Sequence, residues 1–131
     1  MPAYVDGFVI PLPKRNLPAY RRLARRAAAV WLGHGAIDYQ ECAGDDLALP
    51  FGATFVRSLK LKQSETAIFA WIRFKSRAHR DRVNRRALAD PRLQAMCDPQ
   101  KLPFDPARML CGGFAIIVDG PVRTAAKSGR R

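Results

Sequence analysis

The nine residues Thr66 to Phe74, TAIFAWIRF, constrain the fold more than any other stretch of the chain. β-Branched and aromatic side chains dominate it, which favours an extended strand. Ile68, Ala70, Ile72 and Phe74 share one face; Ala67, Phe69 and Trp71 share the other, before Arg73. A half-exposed antiparallel strand alternates apolar with polar residues. This one does not, so both faces of its sheet need a cover.

The neighbouring segments supply one cover. Tyr4 to Ile10 (YVDGFVI) reads as a first strand, ended by PLPKR. Asn16 is placed to cap a helix that runs to about His34, with Pro18 tolerated in the first turn. Tyr20, Leu23, Ala24, Ala27, Val30 and Trp31 fall at helical spacing, and Arg21, Arg22, Arg25 and Arg26 take the opposite face. Gly33 and Gly35 stop the helix. Ala36 to Ala43 reads as a second strand and Gly44 to Phe51 as a loop. Thr54 to Leu61 reads as an extended run that forms a hairpin with Thr66–Phe74 through a turn at Lys62–Glu65. Ser76 caps a helix from Arg77 to about Ala89, and Pro91 opens a helical turn to Met96. A proline-rich connection, DPQKLPFDPARM, leads to a last strand in Met109–Asp119, with a bulge or bend expected at Gly112–Gly113.

This order predicts an α+β fold: a ferredoxin-like βαββαβ sandwich with an antiparallel sheet, and an insertion ahead of the third core strand. Both helices cover one face. The second apolar face is most simply covered by another copy, which predicts a homodimer packed sheet to sheet, a dimeric α/β barrel. A chain of 131 residues suits one domain, placed at residues 1–119, with a basic tail, residues 120–131, expected to be disordered. No apolar run is long enough to cross a bilayer and the N-terminus lacks signal-peptide features, so no membrane partner is expected. Cys42, Cys97 and Cys111 are odd in number and widely spaced, which suits a reducing cytoplasm and small-hydrophobe packing rather than disulfides or zinc. No cofactor or metal motif is present.

The net charge of +12 favours anionic partners at long range. Much of it gathers in FKSRAHRDRVNRRALADPRL, Phe74 to Leu93. At helical pitch Val83 and Ala87 mark the inward side, Arg82, Arg85 and Arg86 the outward one, and His79, Arg80 and Asn84 flank the core. An arginine so placed needs a carboxylate or an anionic ligand, and Asp6 and Glu41, each on a strand face with aromatic residues, are the candidate partners. One reading is a structural ion pair. The other is a small-molecule pocket in which Asp6 or His79 moves a proton, Arg80 orients an anionic substrate, and Trp71, Asn84 and Glu41 complete the binding residues. His34 is assigned to the helix end and Trp31 to the core. Nucleic-acid or anionic-surface binding through the arginine faces and tail is the alternative. It is not favoured, because no aromatic residues interleave with the arginines as a base-stacking surface needs. A pocketless structural or regulatory dimer is the third reading.

YVDGFVIPLP, AYRRLARRAA, HGAIDYQECAGDD, SRAHRDRVN followed by DPRL, and FDPARMLCGGF together resemble the YbaA-like family of small uncharacterised bacterial proteins, over nearly the whole chain up to Asp119. The resemblance implies a ferredoxin-like protomer of the dimeric α/β-barrel superfamily. That superfamily includes monooxygenases, some of them haem-degrading, that place a polar residue on the first strand, a tryptophan on the third core strand and a histidine on the next helix. Asp6, Trp71 and His79 occupy similar places in order, with aspartate where those enzymes use asparagine. An enzyme of monooxygenase or isomerase type is therefore one expectation.

Overall fold

The computed structural model describes residues 1–121; nearly all of the expected basic tail lies outside the described residues. Strand β1 is Tyr4–Pro13, helix α1 Leu17–Gly33, β2 Asp38–Ala43, α2 the single turn Phe55–Ser58, β3 Glu65–Phe74, α3 Arg77–Leu88, α4 Pro91–Met96 and β4 Leu110–Ala115. The four strands form one antiparallel sheet in the order β2-β3-β1-β4. This is the ferredoxin-like α+β arrangement expected from the element order.

β1 is longer than YVDGFVI because Pro11 and Pro13 lie beyond the part of β1 that β4 covers. There β1 has a neighbour only on the β3 side, the one setting in which a strand tolerates a missing N–H. Asn16 stands at the start of α1 but does not cap it; its side-chain amide instead donates to the Pro103 carbonyl at 2.8 Å. Gly35 closes the helix with φ of 110°, a left-handed conformation that favours glycine. Ser76 does cap α3, accepting from the His79 N–H at 3.1 Å.

Two local expectations fail. Thr54–Leu61 forms no strand. β3 is paired on both edges, by β1 and by β2, so no edge is left for a hairpin partner. Thr54 instead caps the α2 turn through Arg57 N–H at 3.1 Å. Arg108 then ties this insertion down, donating to Glu65 at 2.7 Å and to the Leu59 carbonyl at 3.2 Å. Nor is there a bulge at Gly112–Gly113, since β4 pairs residue for residue with β1 from Leu110 to Ala115. Glycine is needed at 113 for space: a Cβ there would collide with the Arg80 and Tyr4 side chains.

The register sorts every strand residue onto one of two faces. Tyr4, Asp6, Phe8 and Ile10 line up with Phe74, Ile72, Ala70 and Ile68, and with Tyr39 and Glu41, beneath the helices. Phe74, Ile68, Val83, Ala87, Val30 and Leu12 are almost fully buried here. Each of these side chains except Ala87 contributes roughly 1.5–3 kcal/mol of transfer free energy. The opposite row, Val5, Val9, Phe69, Trp71, Leu110 and Phe114, has no cover from the described residues; Phe69 is 50 % exposed and Phe114 61 %.

Candidate functional site

Helices α1 and α3 pack on the sheet through Tyr20, Ala24 and Val83. Between these contacts a cavity of about 560 Å³ remains, walled on one side by the connection from Cys97 to Met109. Its lining is mainly apolar: Phe8, Ile10, Leu23, Trp31, Leu93, Met96, Phe104 and Met109 among others. A volume of this size suits a small organic molecule. Two polar clusters interrupt the apolar wall.

The first cluster joins β1 to α3. Asp6 is buried, and its Oδ1 lies 3.1 Å from Arg80 Nε, while Oδ2 accepts from Asn84 Nδ2 at 3.1 Å. The Asn84 carbonyl oxygen accepts from Trp31 Nε1 at 2.9 Å, so α1 is tied into the same chain of bonds. Arg80 spreads its remaining donors over the Tyr4 hydroxyl (3.1 Å) and Asp81 (2.9 Å), and its guanidinium lies 4.9 Å from the centre of the Tyr4 ring. Arg80 Nε and Asp6 are close but poorly aligned, leaving that nitrogen without a true hydrogen bond. The contact is thus an ion pair held by proximity. Asp6 and the other charges around Arg80 outweigh its burial and hold its pKa above the ordinary arginine value.

The second cluster joins β2 to α1. Glu41 accepts from the Tyr20 hydroxyl at 2.6 Å on one oxygen and from the Tyr39 hydroxyl at 2.8 Å on the other. Burial pushes the Glu41 carboxyl above its ordinary pKa, and the two tyrosine bonds act against that rise. Burial, and then the neighbouring Glu41 charge, push both tyrosines upward, so they stay protonated donors. Phe104 packs edge-on to Tyr20 at 5.8 Å, and Trp31 lies 6.5 Å from Tyr39. Two strand spacings separate Asp6 from Glu41, about 10 Å. The two carboxylates cannot share a proton or clamp one ligand atom.

Asp6, Glu41, Arg80 and Asn84 therefore meet around one cavity, as a binding site requires. Trp71 and His79 do not join them. Trp71 pairs with Gly7 and Gln40 on the uncovered face, one residue out of phase with Ala70 and Ile72, where it packs on Phe69 at 5.7 Å. His79 serves the start of α3: the Lys75 N–H donates to its Nδ1 at 2.9 Å, and the ring's other nitrogen faces the Gly35 backbone. Burial first, then Lys75, Arg82 and Arg86, hold its pKa below the ordinary histidine value. The monooxygenase-like set of Asp6, Trp71 and His79 is thus not assembled within one chain. Arg80 already faces two carboxylates, Asp6 and Asp81. Residues that sequence reasoning passed over complete the cavity: Tyr20 and Tyr39 as Glu41 donors, Met96 from the helical turn after Pro91, and Phe104 and Met109 from the segment read as a connection. The same-face spacing of Tyr39 and Glu41 was the available signal.

The remaining polar features take no part in the two clusters, although Cys97 and Cys111 line the cavity. His34 contacts Asp90 at 2.8 Å, and Asp90 caps α4 while accepting from Arg92. The Arg92 and His34 bonds hold the Asp90 carboxyl far below its ordinary pKa. Cys42, Cys97 and Cys111 are free and exposed rather than packed as small hydrophobes, because β2 and β4 are edge strands and Cys97 follows the end of α4. Among the described residues no cluster of metal-ligating side chains occurs, and no helix is long and apolar enough to cross a membrane.

Sheet order, helix placement and the cavity between them define a ferredoxin-like α+β protein. A solved structure shares that fold: an uncharacterized NIPSNAP domain protein from Burkholderia xenovorans, with a TM-score of 0.56 over 91% of this chain and 99% of that one, at 12% identity. The family model described as protein of unknown function (DUF1428) matches residues 3–106. Uncharacterized protein YbaA of Escherichia coli K12 is 35% identical over 116 residues, covering 88% of this chain and 97% of that protein; YbaA of Shigella flexneri gives the same figures. The chain belongs to the DUF1428 family.

Proposed function

We propose that this protein binds a small, largely apolar molecule in the cavity between sheet and helices, and does so as a homodimer packed through its uncovered sheet face. The observation that carries the first part is the cavity itself. About 560 Å³ of mainly apolar space is bounded by two fixed polar clusters, the combination expected of a ligand site. The chemistry such a site offers is proton transfer at Glu41, whose carboxyl sits in apolar surroundings with its pKa raised. An isomerase-type reaction would draw on that group, with Asp6 fixed as the counter-ion of Arg80.

Nile red, an uncharged dye that brightens in apolar surroundings, tests the cavity. Its fluorescence is expected to rise with the wild-type protein and to fall back in Ala27→Phe, which fills the cavity from α1. Equal brightness in the two proteins, with circular dichroism unchanged, would remove this reading.

The dimer rests on the row Val5, Val9, Phe69, Trp71, Leu110 and Phe114, a contiguous apolar face of the kind that monomers seldom leave open. Ile117 and Val118, just past β4, are exposed as well. Two such faces packed about 10 Å apart form the core of a sheet-to-sheet interface. The arginine faces support the ligand reading over nucleic-acid binding. Arg21, Arg22, Arg25 and Arg26 on α1 and Arg82, Arg85 and Arg86 on α3 are exposed, with no exposed aromatic ring between them. Three free exposed cysteines favour a reducing cytoplasm.

A further inference from the structure

Among the described residues Arg80 is the cation on the cavity wall, and it faces two carboxylates: Nη1 donates to Asp81, Nη2 to the Tyr4 hydroxyl, and Nε lies against Asp6. Its charge is therefore already balanced by the protein. Glu41 is in the opposite position. It lines the same cavity, and among the described residues no arginine, lysine or histidine pairs with it. Its side-chain partners among the described residues are two hydroxyls, at 2.6 and 2.8 Å, one donating to each oxygen, an arrangement that favours the ionised form. The lining thus carries one uncompensated negative charge. That sign runs against the rest of a chain whose net charge is +12.

The surroundings of that charge are aromatic. Tyr20 and Tyr39 hold Glu41, Phe104 stands edge-on to Tyr20, and Trp31 flanks Tyr39. All four rings line the cavity. Ring faces around a carboxylate attract a cation twice, once by the quadrupole of the rings and once by the charge. An anion entering the same space would be desolvated, repelled by Glu41, and would meet in Arg80 a charge already balanced by Asp6 and Asp81.

We propose that the cavity takes a small apolar molecule bearing one protonated amine, seated with its ammonium on Glu41 among Tyr20, Tyr39, Trp31 and Phe104. The inference rests on the reading of the cavity as a ligand site, and one probe series separates the two. Phenethylamine, phenethyl alcohol and hydrocinnamate share a phenylethyl body and differ in charge: cation, neutral and anion. Isothermal titration of the whole protein at neutral pH is expected to rank them in that order. The amine should bind about tenfold or more tighter than the alcohol, and the carboxylate weakest, since a charge-assisted contact and ring faces together exceed one decade of affinity.

Glu41→Gln keeps the shape of the side chain and removes its charge. In that variant the amine should fall to the affinity of the alcohol, while the alcohol holds within about threefold of its wild-type value, showing an intact cavity. Equal binding of all three probes to wild type, or tightest binding of hydrocinnamate, would overturn the amine assignment and leave the cavity reading standing. Binding of none of them would overturn both. The wild-type ranking decides the question even if Glu41→Gln fails to fold.

Discussion

The two faces of this sheet are built from equally apolar strands and end in opposite states. On the covered face, Phe74, Ile68 and Ile72 are buried, and charged groups enter in clusters: Asp6 with Arg80 and Asn84, Glu41 with two tyrosines. On the open face, Phe69, Leu110 and Phe114 remain more than half or about half exposed, and the ion pair present, Arg73 with Asp119, sits in solvent at 2.7 Å. The helices hold space on the first face and nothing holds it on the second. On the proposals above, the covered face takes the ligand and the open face the partner.

The sharpest way to break this contrast is to cut one ion pair on each face. Asp6→Leu leaves Arg80 inside with a single carboxylate, Asp81, and is expected to cost about 3 kcal/mol, the scale for stranding a buried charge. Arg73→Leu breaks an exposed pair and is expected to cost under about 1 kcal/mol. Urea unfolding of the two variants reads the difference. Similar losses would mean that Asp6–Arg80 is screened like a surface pair.

A charge on the open face should act on association rather than folding. Phe69→Lys is expected to cost about 2 kcal/mol or more of dimer affinity, the scale of a central interface residue. Light scattering after size exclusion should then move from twice the 14.6 kDa chain mass toward the chain mass itself, with little change in the secondary structure. A wild-type protein that elutes as a stable monomer at micromolar concentration would end the dimer proposal.

Smaller effects separate two titrating groups. Burial raises the Glu41 carboxyl, so the folded chain binds its proton more tightly than the unfolded one. Its contribution to stability therefore falls as pH rises from the ordinary glutamate value, about 4.3, to the raised folded value, and is level above that. Glu41→Gln should flatten this part of the pH–stability curve. His79 is opposite in sign. With its folded pKa lowered, the unfolded chain binds the proton more tightly, so stability is lost as pH falls below about 6.5 and through the folded value. His79→Gln should remove that slope. Chemical denaturation at a series of pH values tests both.

Much of the covered face was legible in the sequence. The 3.6-residue period of α3 separated Val83 and Ala87 from Arg82, Arg85 and Arg86 correctly, and the need of Arg80 for a carboxylate pointed to Asp6 and Glu41, of which Asp6 is its partner. What period cannot resolve is a strand apolar on both sides. Trp71 and Ile72 are equally plausible inward residues in TAIFAWIRF, and only the register with β1 and β2 puts Trp71 outside. Thr54–Leu61 looked extended because its apolar residues alternate, yet no strand edge was free to receive it. The glycines of β4 looked like a bulge because a sequence does not show the Tyr4 ring and Arg80 filling the place of a side chain. The cavity itself was hidden in DPQKLPFDPARM, whose Phe104 and Met109 form a wall though their segment reads as a connection.

The chain holds two tryptophans, one on each face, so one spectrum observes both regions at once. In a nitrogen-15 proton correlation spectrum titrated with phenethylamine, the Trp31 indole N–H, bonded to Asn84 at the cavity wall, is expected to shift progressively and saturate. The Trp71 indole signal should stay in place. A shift confined to Trp71, or no shift of Trp31 at saturating amine, would contradict a ligand site on the covered face.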